Sequence, residues 1–303
     1  MGPSEGFRSL AIILAVAAAV ALAYGAHFQN AAVVADSTPK VKGQGSLSLK
    51  QLLSVVSRPK WLSGTAFMGA GIVLQLGALS LAPLIVVQPV GAVALVITAI
   101  LTARSTKSRL TRPTLIAIGF CTVGIAAFVL MASGVAKETE LNDDRLREVL
   151  GVLVVILAIF GALFFTIGSR AKALTYVIGA GVLYGFVATL AKVVIQRIYQ
   201  QQFELLTILC LVALIGAVAL GGWFVQNAYS SGPPDLVIAG LTVIDPLVAV
   251  SIGIVILGEA KSADFVTMLG WFVAAVIAII GVYLLSKVHP ELATKALTRK
   301  HLV

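Results

Sequence analysis

The chain has 303 residues, of which 59% are hydrophobic and only 12% charged, with a formal charge of +9 and a mean hydropathy of +1.03. That composition excludes a soluble globular domain, and because a backbone in lipid must satisfy its own hydrogen bonds, it leaves helical bundles and closed barrels. Apolar runs of about twenty residues without alternating polarity exclude the barrel, and the basic residues fall between the runs, where they set orientation and meet anionic headgroups instead of forming a nucleic-acid surface.

An all-α polytopic membrane protein of about nine transmembrane helices is therefore expected, with spans at about 8–28, 61–82, 84–104, 113–134, 147–169, 174–196, 204–228, 234–257 and 264–286. The first, "FRSLAIILAVAAAVALAYGA", also has the form of a cleaved signal peptide. Cleavage would leave the basic loop that follows on the wrong side, so the charge rule favours a retained span. Its polar end, His27, Gln29 and Asn30, lies near water. In the next loop Leu49, Leu52, Leu53 and Val56 follow helical spacing and predict an amphipathic interfacial helix at about 47–57. Cys121 and Cys210 sit inside apolar runs and are read as small packing residues; no disulfide framework and no metal-ligand spacing is present. If the spans alternate, most of the 22 basic residues share one side, including Lys40, Lys42, Arg104, Arg109, Arg170 and the tail's Lys287 and Lys300. The acid-rich "VAKETELNDDRLRE" falls on the other side, which places the N-terminus outside and the C-terminus in the cytoplasm of a cell-membrane protein.

The chain repeats itself. "ALAYGAHFQNAAVV" (21–34) aligns with "GVLYGFVATLAKVV" (181–194), bringing Tyr24 over Tyr184. Each half then has a span with glutamine, Gln75 or Gln226, a span with a polar-Pro step, Gln88-Pro89 or Asp245-Pro246, and a last span opening on Gly-aromatic, "IGFCTVG" or "LGWFVAA". Four helices per unit is an even number, so one extra crossing is required to invert the second unit. The fifth span supplies it. The expected organisation is a first four-helix repeat at 1–134, a linker loop and helix at 135–173, a second repeat at 174–287 and a basic tail at 288–303. In such inverted repeats the substrate site falls near the midplane where the halves meet.

The stretch "LQLGALSLAPLIVVQPVGAVALVITAILTARSTKSRLTRPTLIAIGFCTVGIAAFVL" (74–130), together with "DPLVAVSIGIVILGEAKS" (245–262), resembles the drug/metabolite transporter superfamily, whose half-repeats carry a proline-bearing helix ending in Gly-Glu and a glycine-led last helix. The span layout and "GTAFMGAG" with "GALSLAPLIVVQPVGA" resemble most nearly its NIPA-like magnesium transporters. The resemblance implies an EamA-like permease fold and solute transport. It departs from the pattern at Ile72, where the magnesium transporters would have glutamate. Tyr24-Gly25 and Tyr184-Gly185 stand where the small multidrug relatives carry their coupling carboxylate.

Asp245 is the leading candidate for substrate binding or coupling, because a carboxylate at bilayer depth costs roughly 2.5–3.5 kcal/mol and is kept for a purpose. The structural alternatives are an ion pair with Lys192 or a capped kink at Pro246. Lys192 itself reads first as an interfacial anchor that snorkels. Gln88, Gln75, Gln226 and Asn227 either line a polar cavity or tie helices together, and Tyr24 and Tyr184 either form paired cavity walls or satisfy local backbone. Pro89 and Pro246 are expected kinks. Glu259 reads as a solvated or capping loop residue. The glycines, Gly69, Gly71, Gly119, Gly124 and Gly185 among them, are expected to allow close helix contact.

No Gly-x-x-x-x-Gly-Lys-Ser/Thr loop and no His-Glu-x-x-His pair occurs, and the loops are too short for a catalytic domain, so neither an enzyme nor a cofactor or metal site is expected. The residues point to a secondary transporter moving a small molecule or ion by alternating access, with the lipid bilayer and a second copy in a homodimer as possible partners. The alternatives are a divalent-cation pathway, a flippase or accessory protein for lipid-linked metabolites, and a scaffold without transport. A scaffold would have its central space filled by side chains.

Overall fold

The computed structural model describes residues 3–34, 59–105, 110–137, 141–167, 173–231 and 234–300, and these contain helices and short connections but no strand. Among the described residues nine helices are long and apolar enough to cross a membrane. They are α1 (Pro3–Val34), α2 (Pro59–Leu81), α3 (Leu84–Ser105), α4 (Arg112–Val135), α5 (Asp143–Ile167), α6 (Ala173–Tyr199), α7 (Leu205–Ser231), α8 (Pro234–Val255) and α9 (Phe265–Lys300). This is the all-α, multi-pass architecture expected from the apolar runs. The last helix continues to Lys300, well into the segment expected as a separate tail. The interfacial helix expected at 47–57 lies outside the described residues. Ala11, Ala15, Ala18 and Ala19 of α1 are buried against the bundle, so this helix is part of the core and not an appendage to it.

Local sequence explains how the helices start and break. Thr111 caps α4, its hydroxyl accepting the Thr114 N–H, with Pro113 in the first turn where a missing N–H costs nothing. In α3 the Gln88-Pro89 step does more than bend the helix. The chain runs as an α-turn at Leu84–Val87, a tighter 3-10 stretch at Gln88–Ala92 and an α-helix from Val93. Pro246, by contrast, sits inside an unbroken α8 and withholds an N–H from the Thr242 carbonyl one turn earlier.

Without a hydrophobic force between helices in lipid, close packing of small residues holds the bundle together. Contact registers also give helix directions. Gly25 lies opposite Gly64, and Gly71 opposite Ala18, so α1 and α2 are antiparallel. Gly124 meets Ala278 and Gly281 meets Cys121, so α4 and α9 are antiparallel too, and so close that a Cβ on either glycine would stand 2.4 or 2.3 Å from a backbone nitrogen. Gly181 against Ile244 and Gly185 against Val248 make α6 and α8 parallel neighbours. Not every glycine does this. Gly69 and Gly119 have open space where a side chain would go, which corrects the expectation of close contact at those two positions.

Helix α6 is the hub, with two thirds of its apolar window buried, whereas α5 buries 11% of its window and lies on the periphery. Cys121 and Cys210 are buried free thiols, in keeping with a packing role.

Candidate functional site

Two polar features occupy the middle and one end of the bundle. The first is a cavity of about 490 Å³ to which α1, α2, α3, α6 and α8 contribute. Gln75, Gln88, Tyr184, Thr242 and Asp245 are the polar side chains in its wall, against aliphatic residues such as Leu22 and Leu79. A second cavity of about 550 Å³ shares Leu22, Gly91, Leu241 and Thr242 with it and extends past Met68, Thr98 and Tyr229. Those residues lie toward the end of the bundle where α1 finishes and α2 begins, so the second cavity adjoins the first on the side of that end. A third, almost wholly apolar space of about 80 Å³ shares Ala92, Thr242 and Pro246 and runs between α3, α4, α8 and α9.

Asp245 lines the first of these cavities, one turn from Thr242, which all three share. Its Oδ1 is buried and has no hydrogen-bond partner, and among the described residues no Lys, Arg or His lines either of the two larger cavities. Lys192, considered from the sequence as its ion-pair partner, faces Glu259. A buried carboxylate oxygen without a partner is costly, and such a group in a cavity is poised for a ligand.

Lys192 does not snorkel to an interface. It is 2% exposed, its Nζ donates to the Ala82 carbonyl at 2.7 Å, and it faces Glu259 Oε1 at 3.7 Å. Glu259 is equally buried, and its two carboxylate oxygens accept the backbone N–H groups of Leu84 and Ile85 at 2.9 and 3.0 Å. These are free donors at the start of α3, and a carboxylate there meets both the orphan N–H groups and the positive end of the helix. The reading of Glu259 as a solvated loop residue is therefore corrected: it caps, but from inside the protein.

The local sequence delivers Glu259 to that place. Gly258 has φ +69°, a left-handed conformation that glycine adopts without penalty, and it turns the chain back after α8 so that the Glu259 N–H reaches the Gly253 carbonyl at 2.9 Å. Gly253 leaves the space for the carboxylate, since a Cβ there would stand 2.6 Å from Glu259 Oε2.

Further contacts close the same end. Arg145 at the start of α5 donates to the Leu257 carbonyl, and buried Arg197 pairs with Asp143 and Gln202. Arg8 at the start of α1 donates to the Ser133 and Ala136 carbonyls at 2.6 and 2.7 Å, and the Lys137 N–H bonds the Glu259 carbonyl at 3.0 Å. One end of the bundle is thus bound shut by buried polar contacts, while the cavities run toward the other.

The remaining candidates divide. Gln75, Gln88, Tyr184 and Pro246 line the central cavity with Asp245, and Pro89 lines the apolar space beside it. Gln226 is exposed and Asn227 donates to the Trp223 carbonyl within its own helix at 2.8 Å, so neither reaches the cavity. Tyr24 packs with Phe67 and Phe28 in an aromatic cluster, so the two repeat-related tyrosines do not form a symmetric pair of walls. Arg8, Arg145 and Glu259 were not singled out as functional from the sequence. The Gly258-Glu259 step at the end of a proline-bearing helix was the available signal.

No family model matches the chain, and no solved structure matches it. It is 28% identical to an uncharacterized protein of Corynebacterium glutamicum over 256 residues, an alignment covering 82% of this chain and 85% of that protein.

Proposed function

We propose that the protein is a secondary transporter of the drug/metabolite type that moves a small solute through the central cavity by alternating access. The observation that carries this reading is the asymmetry of the bundle among the described residues: a polar, carboxylate-bearing cavity continued by a second cavity toward one end, and the Glu259 cap with the arginine contacts closing the other. A cavity that ends at a closed gate is half of a transport cycle. Under the positive-inside assignment the end toward which the cavities run faces the cytoplasm and the end closed by Glu259 faces outward. The open central volume supports this reading over a scaffold, in which side chains would fill the space. A divalent-cation pathway is less well supported, since one carboxylate and a few amides fall short of the oxygen ligands such an ion takes.

Flux of solute pools into liposomes holding the purified protein tests the proposal, with Asp245→Asn as control. Accumulation above protein-free vesicles that is lost in the variant is the expected result. Equal uptake with and without the protein for neutral, cationic and anionic pools refutes it.

A further inference from the structure

We infer that the central cavity takes a small aliphatic monoammonium ion, whose N–H groups meet Asp245 and whose hydrocarbon part lies toward the apolar space behind Pro246. This rests on the transporter reading above and names its substrate class. The first ground is charge. Asp245 Oδ1 is buried and unpartnered, and among the described residues no cationic side chain lines the cavities, so a ligand with one positive charge neutralises the carboxylate. A second positive charge on the ligand would have no carboxylate to face, which disfavours diamines and divalent metals.

Donor chemistry narrows the class. Gln75, Gln88, Thr242 and Tyr184 line the same cavity and each carries an oxygen able to accept, and Pro246 leaves the Thr242 carbonyl without its helical donor. These groups suit a ligand with several N–H donors, which an ammonium has and a quaternary ammonium lacks. Among the described residues Tyr184 is the one aromatic side chain lining the central cavity, and a single ring makes no aromatic cage for a methylated cation. Size and polarity complete the argument. About 490 Å³ is ample for a small solute, and the almost wholly apolar space of about 80 Å³ meets the cavity at Ala92, Thr242 and Pro246, beside the carboxylate.

The test is binding to the purified full-length protein by calorimetry, using ethyl-, propyl- and butylammonium, tetramethylammonium, 1,4-diaminobutane, butyrate and butanol. The same compounds are then followed as liposome flux. The alkylammonium ions are expected to bind about four-fold tighter per added methylene and roughly ten- to a hundred-fold weaker in Asp245→Asn. The selectivity series on the unaltered protein needs no variant to fold. Tetramethylammonium, the diamine or butyrate binding as well as butylammonium overturns the inference. Flux of neutral or anionic compounds without alkylammonium binding overturns it while leaving the transporter reading intact. No binding and no flux of any compound overturns both.

Discussion

Replacing Glu259 by alanine tests whether the sealed end is held by its buried carboxylate. The substitution removes the acceptor of the Leu84 and Ile85 N–H groups and the partner of Lys192, none of which has water to turn to. A hydrogen bond to a charged group contributes about 1.5–3 kcal/mol, and removing one member of a buried ion pair costs roughly 3–5 kcal/mol because the other is left uncompensated. The two figures describe the same carboxylate and overlap, so a loss of about 3–5 kcal/mol is expected in all. Equilibrium unfolding in mixed detergent micelles, followed by tryptophan fluorescence, measures it. Adding Lys192→Met removes the stranded charge, so the double variant should regain roughly 1 kcal/mol or more over Glu259→Ala alone. A single variant within about 1 kcal/mol of the parent protein, or strict additivity in the double variant, would show that the pair does not hold this end together.

Gly258→Ala places a side chain at φ +69° and should cost about 1–2 kcal/mol in the same unfolding assay, with the α8–α9 turn exchanging amide hydrogens faster. Gly124→Leu forces α4 from α9, because even a Cβ would stand 2.4 Å from the Ala278 nitrogen; loss of monodisperse protein on size-exclusion chromatography is the expected outcome. Arg145→Ala frees the Leu257 carbonyl, and a cysteine at position 257 should then react faster with a polar maleimide. Gln226→Ala lies outside the cavity and should leave solute flux within two-fold, about 0.4 kcal/mol, of the parent protein.

Much of this architecture is legible in the amino acids because lipid simplifies the problem. Where the backbone must pair with itself, a run of about twenty apolar residues is a helix whatever surrounds it. Asp245 stood out for the same reason, as an ionisable group in an apolar run is conspicuous. What sequence could not determine was partnership. Lys192 lies near a helix end, where the local reading is an anchor, yet it points inward to Ala82 and Glu259, residues distant in the chain. Glu259 follows a turn glycine, where the local reading is a solvated loop, yet that turn folds it onto the start of α3. Likewise the repeat read from the sequence pairs Gln75 with Gln226, but Gln75 lines the cavity and Gln226 is exposed outside it.

Composition and periodicity therefore determine by themselves how many helices form and which residues are out of place in oil. The tertiary structure alone decides which polar group meets which. Burial, pairing and free space depend on the faces that neighbouring helices present, and Tyr24 and Tyr184 meet different neighbours although the chain around them repeats.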